Sequence, residues 1–186
     1  ITFCEPTLRA REETLKMVMQ KYDAVEIHPY NDSDVILGQS TCAKEVYEDT
    51  DRHIDIIITP VGGGGLLSGT SLSTQLFSPD TIILAAEPEG ASDAWRSFNS
   101  GTLVPSENPN TIADGLLTSL GTNTWPIIRK YVSDILLADD AFIIKAMKLI
   151  WERMKIIIEP SAALPLAVLL KLKDEGKLEM FRKKTI

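Results

Sequence analysis

Ile54-Asp55-Ile56-Ile57-Ile58-Thr59-Pro60-Val61-Gly62-Gly63-Gly64-Gly65-Leu66-Leu67-Ser68-Gly69 is the stretch that decides the fold. A β-branched run ends in four consecutive glycines, and small and apolar residues with helical character follow (Leu66, Leu67, Thr70, Leu76, Phe77). The order expected is strand, glycine loop, helix. Glycines carry no side-chain chemistry, so their use lies in the backbone. Without Cβ atoms the loop reaches positive φ and turns successive N–H groups into one hollow. The helix adds its unpaired first-turn N–H groups and the positive end of its dipole. A phosphate monoester is the natural guest. A plain linker would have Ser-rich or charged flanks, and these are apolar and regular.

Working outward, residues 81–86 form a second, almost uniformly apolar strand, which completes a β-α-β unit. Such strands belong to a parallel sheet covered on both faces, with the glycine loop at the carboxyl end of a central strand. The fold class is therefore α/β, an open and mostly parallel sheet with helices on both faces. A Walker loop is excluded because Gly65 is followed by Leu66-Leu67-Ser68 instead of Gly-Lys-Ser/Thr. Gly63, Gly65 and Gly69 make a loose dinucleotide fingerprint, with Glu87 where a ribose-binding acid would stand, so a nucleotide-dependent oxidoreductase is an alternative.

With 186 residues, 44% of them hydrophobic, the chain can hold one substantial core or one domain and part of another. The net charge of −7 argues against nucleic acid and anionic membranes as partners. No apolar run approaches the roughly twenty residues of a membrane span. Cys4 and Cys42 are read as reduced thiols of a cytoplasmic protein. With His28 and His53 they form no zinc spacing, and His28 is read as structural.

Along the chain, residues 1–4 and 24–27 read as short strands flanking a helix capped by Thr7, with Leu8, Leu15, Val18 and Met19 inward. A helix beginning at Asp34 holds Gly38 and Ser40, poor helix formers that suggest close approach of a backbone or ligand. Trp95 and Phe98 lie on a short helical piece, Pro126 fits the first turn of another helix, and residues 134–138 form a strand. Asp139 or Asp140 caps a helix whose inward face is Ile143, Ala146, Met147, Ile150 and Met154. Pro160 and Pro165 enforce a break, so a separate helix runs from about Ala162 to Lys173, and Thr185-Ile186 looks like a strand barely begun.

Several segments then fall into one pattern: Pro60-Val61-Gly62-Gly63-Gly64-Gly65-Leu66, Ala85-Ala86-Glu87-Pro88, Thr111-Ile112-Ala113-Asp114-Gly115, Asn123-Thr124-Trp125-Pro126, Trp151-Glu152-Arg153-Met154-Lys155 and Glu159-Pro160-Ser161. In order and spacing they resemble the serine racemases and serine/threonine dehydratases of the fold-type II (tryptophan synthase β-like) pyridoxal-phosphate enzymes. The resemblance runs the length of the chain. It implies that residues 1–31 end the small domain and that residues 32–186 form the large one without its final strand.

The resemblance also implies roles. Gly62, Gly63, Gly64, Gly65 and the backbone of Leu66 would hold the phosphate of pyridoxal phosphate (PLP), and Gly115 would lie against its ring. Glu87, the carbonyl of Ala91, and Asp93 would hold Mg²⁺, or Ca²⁺ or Mn²⁺, as oxygen donors suit hard cations; the bland alternative is surface capping. Lys155 and Glu159 match positions near a nucleotide-effector and dimer region. Tyr30 stands where racemases usually carry Asn and dehydratases often an aromatic, which tilts the chemistry toward dehydration; Ser40 replaces a usual Gly. The Schiff-base lysine expected of the family matches no lysine here, so the chain on its own would be inactive. The activity implied is dehydration or racemisation of L-serine-like β-hydroxy amino acids by a homodimer, with a non-catalytic relic binding phosphate or a partner as the alternative.

Overall fold

The computed structural model describes residues 1–50 and 53–186. The β-branched runs do become strands: β1 (Ile56–Pro60), β2 (Ile82–Pro88) and β3 (Asp134–Ala138) form one parallel sheet in that order. The register pairs Ile56 with Ile82 and Leu84 with Asp134. Thus β2 is the central strand, and among the described residues β1 has β2 as its only ladder neighbour, which corrects the expectation that the glycine loop ends a central strand. The carbonyl of Thr185 does accept from the N–H groups of Asp55 (3.0 Å) and Ile56 (3.1 Å), so the chain end lies beside the start of β1.

Helices α3 (Gly65–Phe77), α4 (Asp93–Ser100) and α5 (Thr124–Tyr131) cover one face of the sheet. Leu67, Ala94 and Ile128 pack there against Ile83, Ala85 and Ile135. Two further helices, α6 (Asp140–Leu149) and α7 (Pro160–Asp174), cover the other face, where Ile143, Ala146, Leu164 and Ala167 meet Ala86 and Ala138. Alternate residues of β2 thus feed opposite cores, as the period of a strand dictates. The two remaining helices, which precede the sheet in the chain, are the one at Leu8–Tyr22 and the one at Ser33–Asp49, called here αA and αB.

αA is capped by Thr7, whose Oγ1 accepts from the N–H of Ala10 (3.2 Å). Its apolar face is barely covered: Leu15 is exposed, Val18 and Met19 are half-buried, and the side chain of Leu8 lies outside the described residues. Residues 1–4 and 24–27 are not strands; they are almost wholly exposed and find no ladder partner among the described residues. αB begins at Ser33, one residue before the start expected, and is capped by Asp32, whose Oδ1 accepts from the N–H of Asp34 (2.8 Å). The close approach expected along αB occurs at Ser40 and not at Gly38. A Cβ on Gly69 of α3 would lie 2.6 Å from the Ser40 nitrogen, and Ser73 Oγ donates to the Ser40 carbonyl (2.6 Å).

Asp139 caps α6 through the N–H of Phe142 (3.0 Å). The helical count to Met154 fails because α6 passes into a π turn, Ile150–Met154. Its wider i→i+5 spacing rotates the later side chains away from the core, leaving Met154 61% exposed. α7 begins at Pro160 in its first position, where a missing N–H costs nothing, and carries Pro165 within it. Cys4 and Cys42 are free and exposed.

Candidate active site

β1 delivers the chain to the site and the glycines turn it. The Val61 N–H still bonds the Ala86 carbonyl (2.9 Å), which fixes the start of the turn to the central strand. Gly64 then takes φ +90°, a conformation that side-chain-bearing residues rarely adopt, and α3 begins at Gly65. The first helical bond runs from the Ser68 N–H to the Gly64 carbonyl (2.9 Å). Among the described residues, Gly62, Gly63, Gly64, Gly65 and Leu66 donate no backbone hydrogen bond in the turn. Their N–H groups are left for a ligand.

The loop is anchored from behind. Its Gly63 carbonyl accepts from Thr124 Oγ1 (2.8 Å) and from the Gly121 N–H (3.2 Å). In front, the Tyr30 ring lies so close over Gly63 that a Cβ there would overlap it, and a Cβ on Gly65 would fall 2.9 Å from Tyr30 Cβ. The corner holding Tyr30 is ordered by His28, whose Nδ1 accepts from the N–H of Asn31 (2.9 Å). Asn31 in turn accepts from the N–H (2.7 Å) and side-chain amide (2.8 Å) of Asn123. The structural role expected of His28 is thereby given a mechanism.

A cavity of about 570 Å³ opens in front of the loop. Gly62, Gly63, Gly64, Gly65, Leu66 and Gly115 all line it, together with Arg11, Tyr30, Thr118, Glu159 and Ser161. Gly115 leaves room that a Cβ would take up, since that atom would lie 3.0 Å from Ser161 Oγ and 3.6 Å from Glu159 Oε1. Ser161 Oγ is buried without a partner. Glu159 therefore faces the cavity, while Lys155 is exposed, in left-handed conformation (φ 61°), after the π turn. Among the described residues no lysine lines the cavity. Arg11 and Thr118 carry no local sequence signal, and Ser161, though part of the Glu159-Pro160-Ser161 segment, is given no role by it; the three come together only through the fold.

Glu87, near the end of β2, and Asp93, at the start of α4, are not among the residues lining this cavity. Both are 1% exposed. Glu87 accepts from the N–H groups of Ala94 (2.7 Å) and Trp95 (2.8 Å), capping α4, so its carboxylate is committed there and not to a ribose. Burial pushes its pKa up to about 8, against the two backbone bonds. Burial likewise pushes Asp93 up to about 6, and its Oδ2 is buried without a partner. Ala91 ends the short turn joining them. Among the described residues no group of three or more His, Cys, Asp or Glu side chains could hold a metal.

Both values are raised in the folded state, so that state binds protons more tightly than the unfolded one. Stability present at acidic pH is then lost as pH rises through the folded-state values. Glu87→Gln should flatten the decline between pH 4.5 and about 8. Urea unfolding across that window measures the slope, and an unchanged slope would reject Glu87 as its source.

Comparison with known proteins agrees with this arrangement. Residues 1–181 match the family described as pyridoxal-phosphate dependent enzyme. A beta-hydroxyaspartate dehydratase of Paracoccus denitrificans (strain Pd 1222) is 48% identical over 92% of this chain and 54% of its own length. The serine racemase of Dictyostelium discoideum is 46% identical over 97% of this chain and 56% of its own. The structure of maize serine racemase is 38% identical and superposes with a TM-score of 0.92, covering all of this chain and 57% of that one. The chain thus spans about half the length of the relatives it matches. These matches overturn the nucleotide-dependent oxidoreductase alternative: the chain belongs to the pyridoxal-phosphate dependent enzymes.

Proposed function

We propose that the protein carrying this chain is a PLP-dependent dehydratase or racemase of β-hydroxy α-amino acids. The observation that carries the reading is the glycine hollow, where five consecutive residues leave their N–H groups undonated at the start of α3. That cradle fits a phosphate monoester, and a Cβ at Gly62, Gly63 or Gly65 would intrude on its walls. Gly62, Gly63, Gly64, Gly65 and Leu66 hold the phosphate, and Gly115 leaves space for the ring. Ser161 Oγ, buried and unpartnered, offers a hydrogen bond to whatever fills that space. When bound, the cofactor supplies an electron sink for a carbanion at the substrate Cα. Tyr30 lies over Gly63 and forms part of the cavity wall beside the glycine turn.

A divalent cation belongs to the same proposal. The unpartnered, desolvated Asp93 oxygen would be the anchor for a hard cation, with the Ala91 carbonyl and the lone pairs that Glu87 keeps beyond its two α4 bonds as further oxygen donors. Its role is to offset their buried charge. In the pH experiment above, added Mg²⁺ should raise stability at the alkaline end in the wild type and not in Asp93→Asn. A homodimer is supported by the apolar side chains exposed around the π turn, Trp151, Met154, Ile156 and Ile157.

The test of the activity uses the full-length protein incubated with PLP. Uptake of the cofactor is read from its visible absorbance, and L-serine, L-threonine and 3-hydroxyaspartate are then assayed for 2-oxo acid, ammonia and D-amino acid. Stoichiometric uptake with either product supports the reading. A protein that takes up no PLP overturns it.

A further inference from the structure

Two adjacent acids open α6, and the fold gives them different partners. Asp139 caps the helix through the N–H of Phe142 (3.0 Å). Asp140, the first residue of α6, turns both carboxylate oxygens away from its own helix. Its Oδ1 accepts from Thr111 Oγ1 (2.5 Å) and its Oδ2 from the N–H of Ile112 (3.1 Å), residues 29 and 28 positions earlier. Thr111 Oγ1 accepts in turn from the N–H of Ala113 (3.2 Å). Hydrogen bonds to a charged acceptor are stronger than neutral ones, so one carboxylate holds three consecutive residues. Among the described residues, no other side chain hydrogen-bonds Thr111 or Ile112, and Ile112 is 38% exposed.

Those three residues lead straight into the wall of the glycine cavity. The carbonyl of Ile112 accepts from the Asp114 N–H (2.9 Å) and that of Ala113 from the Leu116 N–H (2.9 Å), which closes the short turn Asp114–Leu116. On one side this turn abuts the phosphate loop: a Cβ on Gly62 would stand 3.0 Å from Leu116 Cα and 3.2 Å from the Gly115 carbonyl oxygen. On the other side, a Cβ on Gly115 would stand 3.0 Å from Ser161 Oγ. Gly115 therefore has less than a methyl group's clearance in either direction, and a small shift of residues 111–113 is felt there at once. Asp140 does not line the cavity.

We propose that Asp140 is a positioning residue for the reaction: through Thr111 and Ile112 it fixes the Asp114–Leu116 turn against Gly62 and so keeps Gly115 level with the space the cofactor ring would fill. This rests on the PLP reading above and adds to it a residue outside the cavity. Asp139, one position away, serves the helix alone.

The experiment uses the full-length protein with PLP added and compares wild type with D140A, D140N, T111V, D139A and T111V/D140A. Three readouts are taken: kcat and KM for whichever of L-serine, L-threonine and 3-hydroxyaspartate the wild type turns over fastest, the visible circular dichroism of bound PLP, and urea unfolding. D140A should lower kcat by about tenfold or more, since small misplacements beside the reacting atoms cost that much, and should change KM less. The dichroism of its PLP should weaken as the ring loses a fixed seat. The double variant should be no worse than D140A, because both substitutions break the same tie. D140N keeps one acceptor oxygen and should fall between; it carries the test if D140A fails to fold. D139A should lower the urea midpoint by removing a cap and leave the dichroism in place. If D140A matches D139A, with stability lost and kcat and dichroism kept, Asp140 is a loop anchor only and the proposal is overturned. Additive losses in the double variant overturn it too. A wild type that takes up no PLP overturns the PLP reading as well; one that loads but turns over none of the three amino acids overturns the β-hydroxy reading, and the dichroism still decides for Asp140.

Discussion

Gly69→Ala is expected to destabilise the full-length protein by about 3 kcal/mol, near the upper end for a single overpacked methyl group. The new Cβ would meet the Ser40 nitrogen at 2.6 Å, the Gln39 carbonyl carbon at 2.7 Å and the Ile36 carbonyl oxygen at 2.7 Å. All three are backbone atoms of αB, so no rotamer change relieves them and the two helices must part. Parting them strains the Ser73–Ser40 bond and the contact of Tyr47 with Thr74 (2.9 Å). Gly38→Ala, one turn away on the same pair of helices, should do the opposite. It is exposed with nothing within 4 Å, so helix propensity alone acts and should stabilise by about 0.5–1 kcal/mol. Urea unfolding of both variants checks the contrast. Equal effects would mean that the αB–α3 contact is looser than described.

Gly63→Ala is the variant with the largest expected effect on ligand binding. Its Cβ would overlap the Tyr30 ring, at the point where the loop's N–H groups face the cavity. Displacing the ring or tilting the loop should weaken PLP binding by about 10- to 100-fold, the equivalent of 1–3 kcal/mol of overpacking. The obstruction here is one side chain, unlike that at Gly69. Tyr30→Ala should therefore restore much of the lost affinity in the double variant, leaving a coupling energy of about 1 kcal/mol or more. Fluorescence titration of the four proteins with PLP closes the cycle. Additive losses would show that the glycine is needed for its own backbone freedom and not for the ring above it.

These two glycines also show what the sequence could convey. The strands β1, β2 and β3 were legible because β-branched runs and turn residues are local signals, and the cap of α6 was legible to within one residue because Asp139 and Asp140 stand just ahead of a periodic face. The glycine turn was legible for the same reason. The need for a glycine at residue 69 was not, because its cause is a backbone dozens of residues earlier. Met154 was placed inward by a count that assumes an α-helix, and the π turn that turns it out has no local signature here. Residues 1–4 and 24–27 have strand-like composition, but a strand is defined by a partner, and none is paired with them among the described residues. Arg11, Thr118 and Ser161 reach one cavity from segments more than forty residues apart in the chain, a juxtaposition that only tertiary structure provides.

The doubly held carbonyl of Gly63 has a consequence for rates. With its oxygen fastened to Thr124 and Gly121, the peptide that follows cannot rotate, so the hollow has its shape before any guest arrives. Little ordering is then left to accompany capture of a phosphate. Entry should be governed by diffusion past the mouth, and dwell time by how long the held backbone keeps its grip.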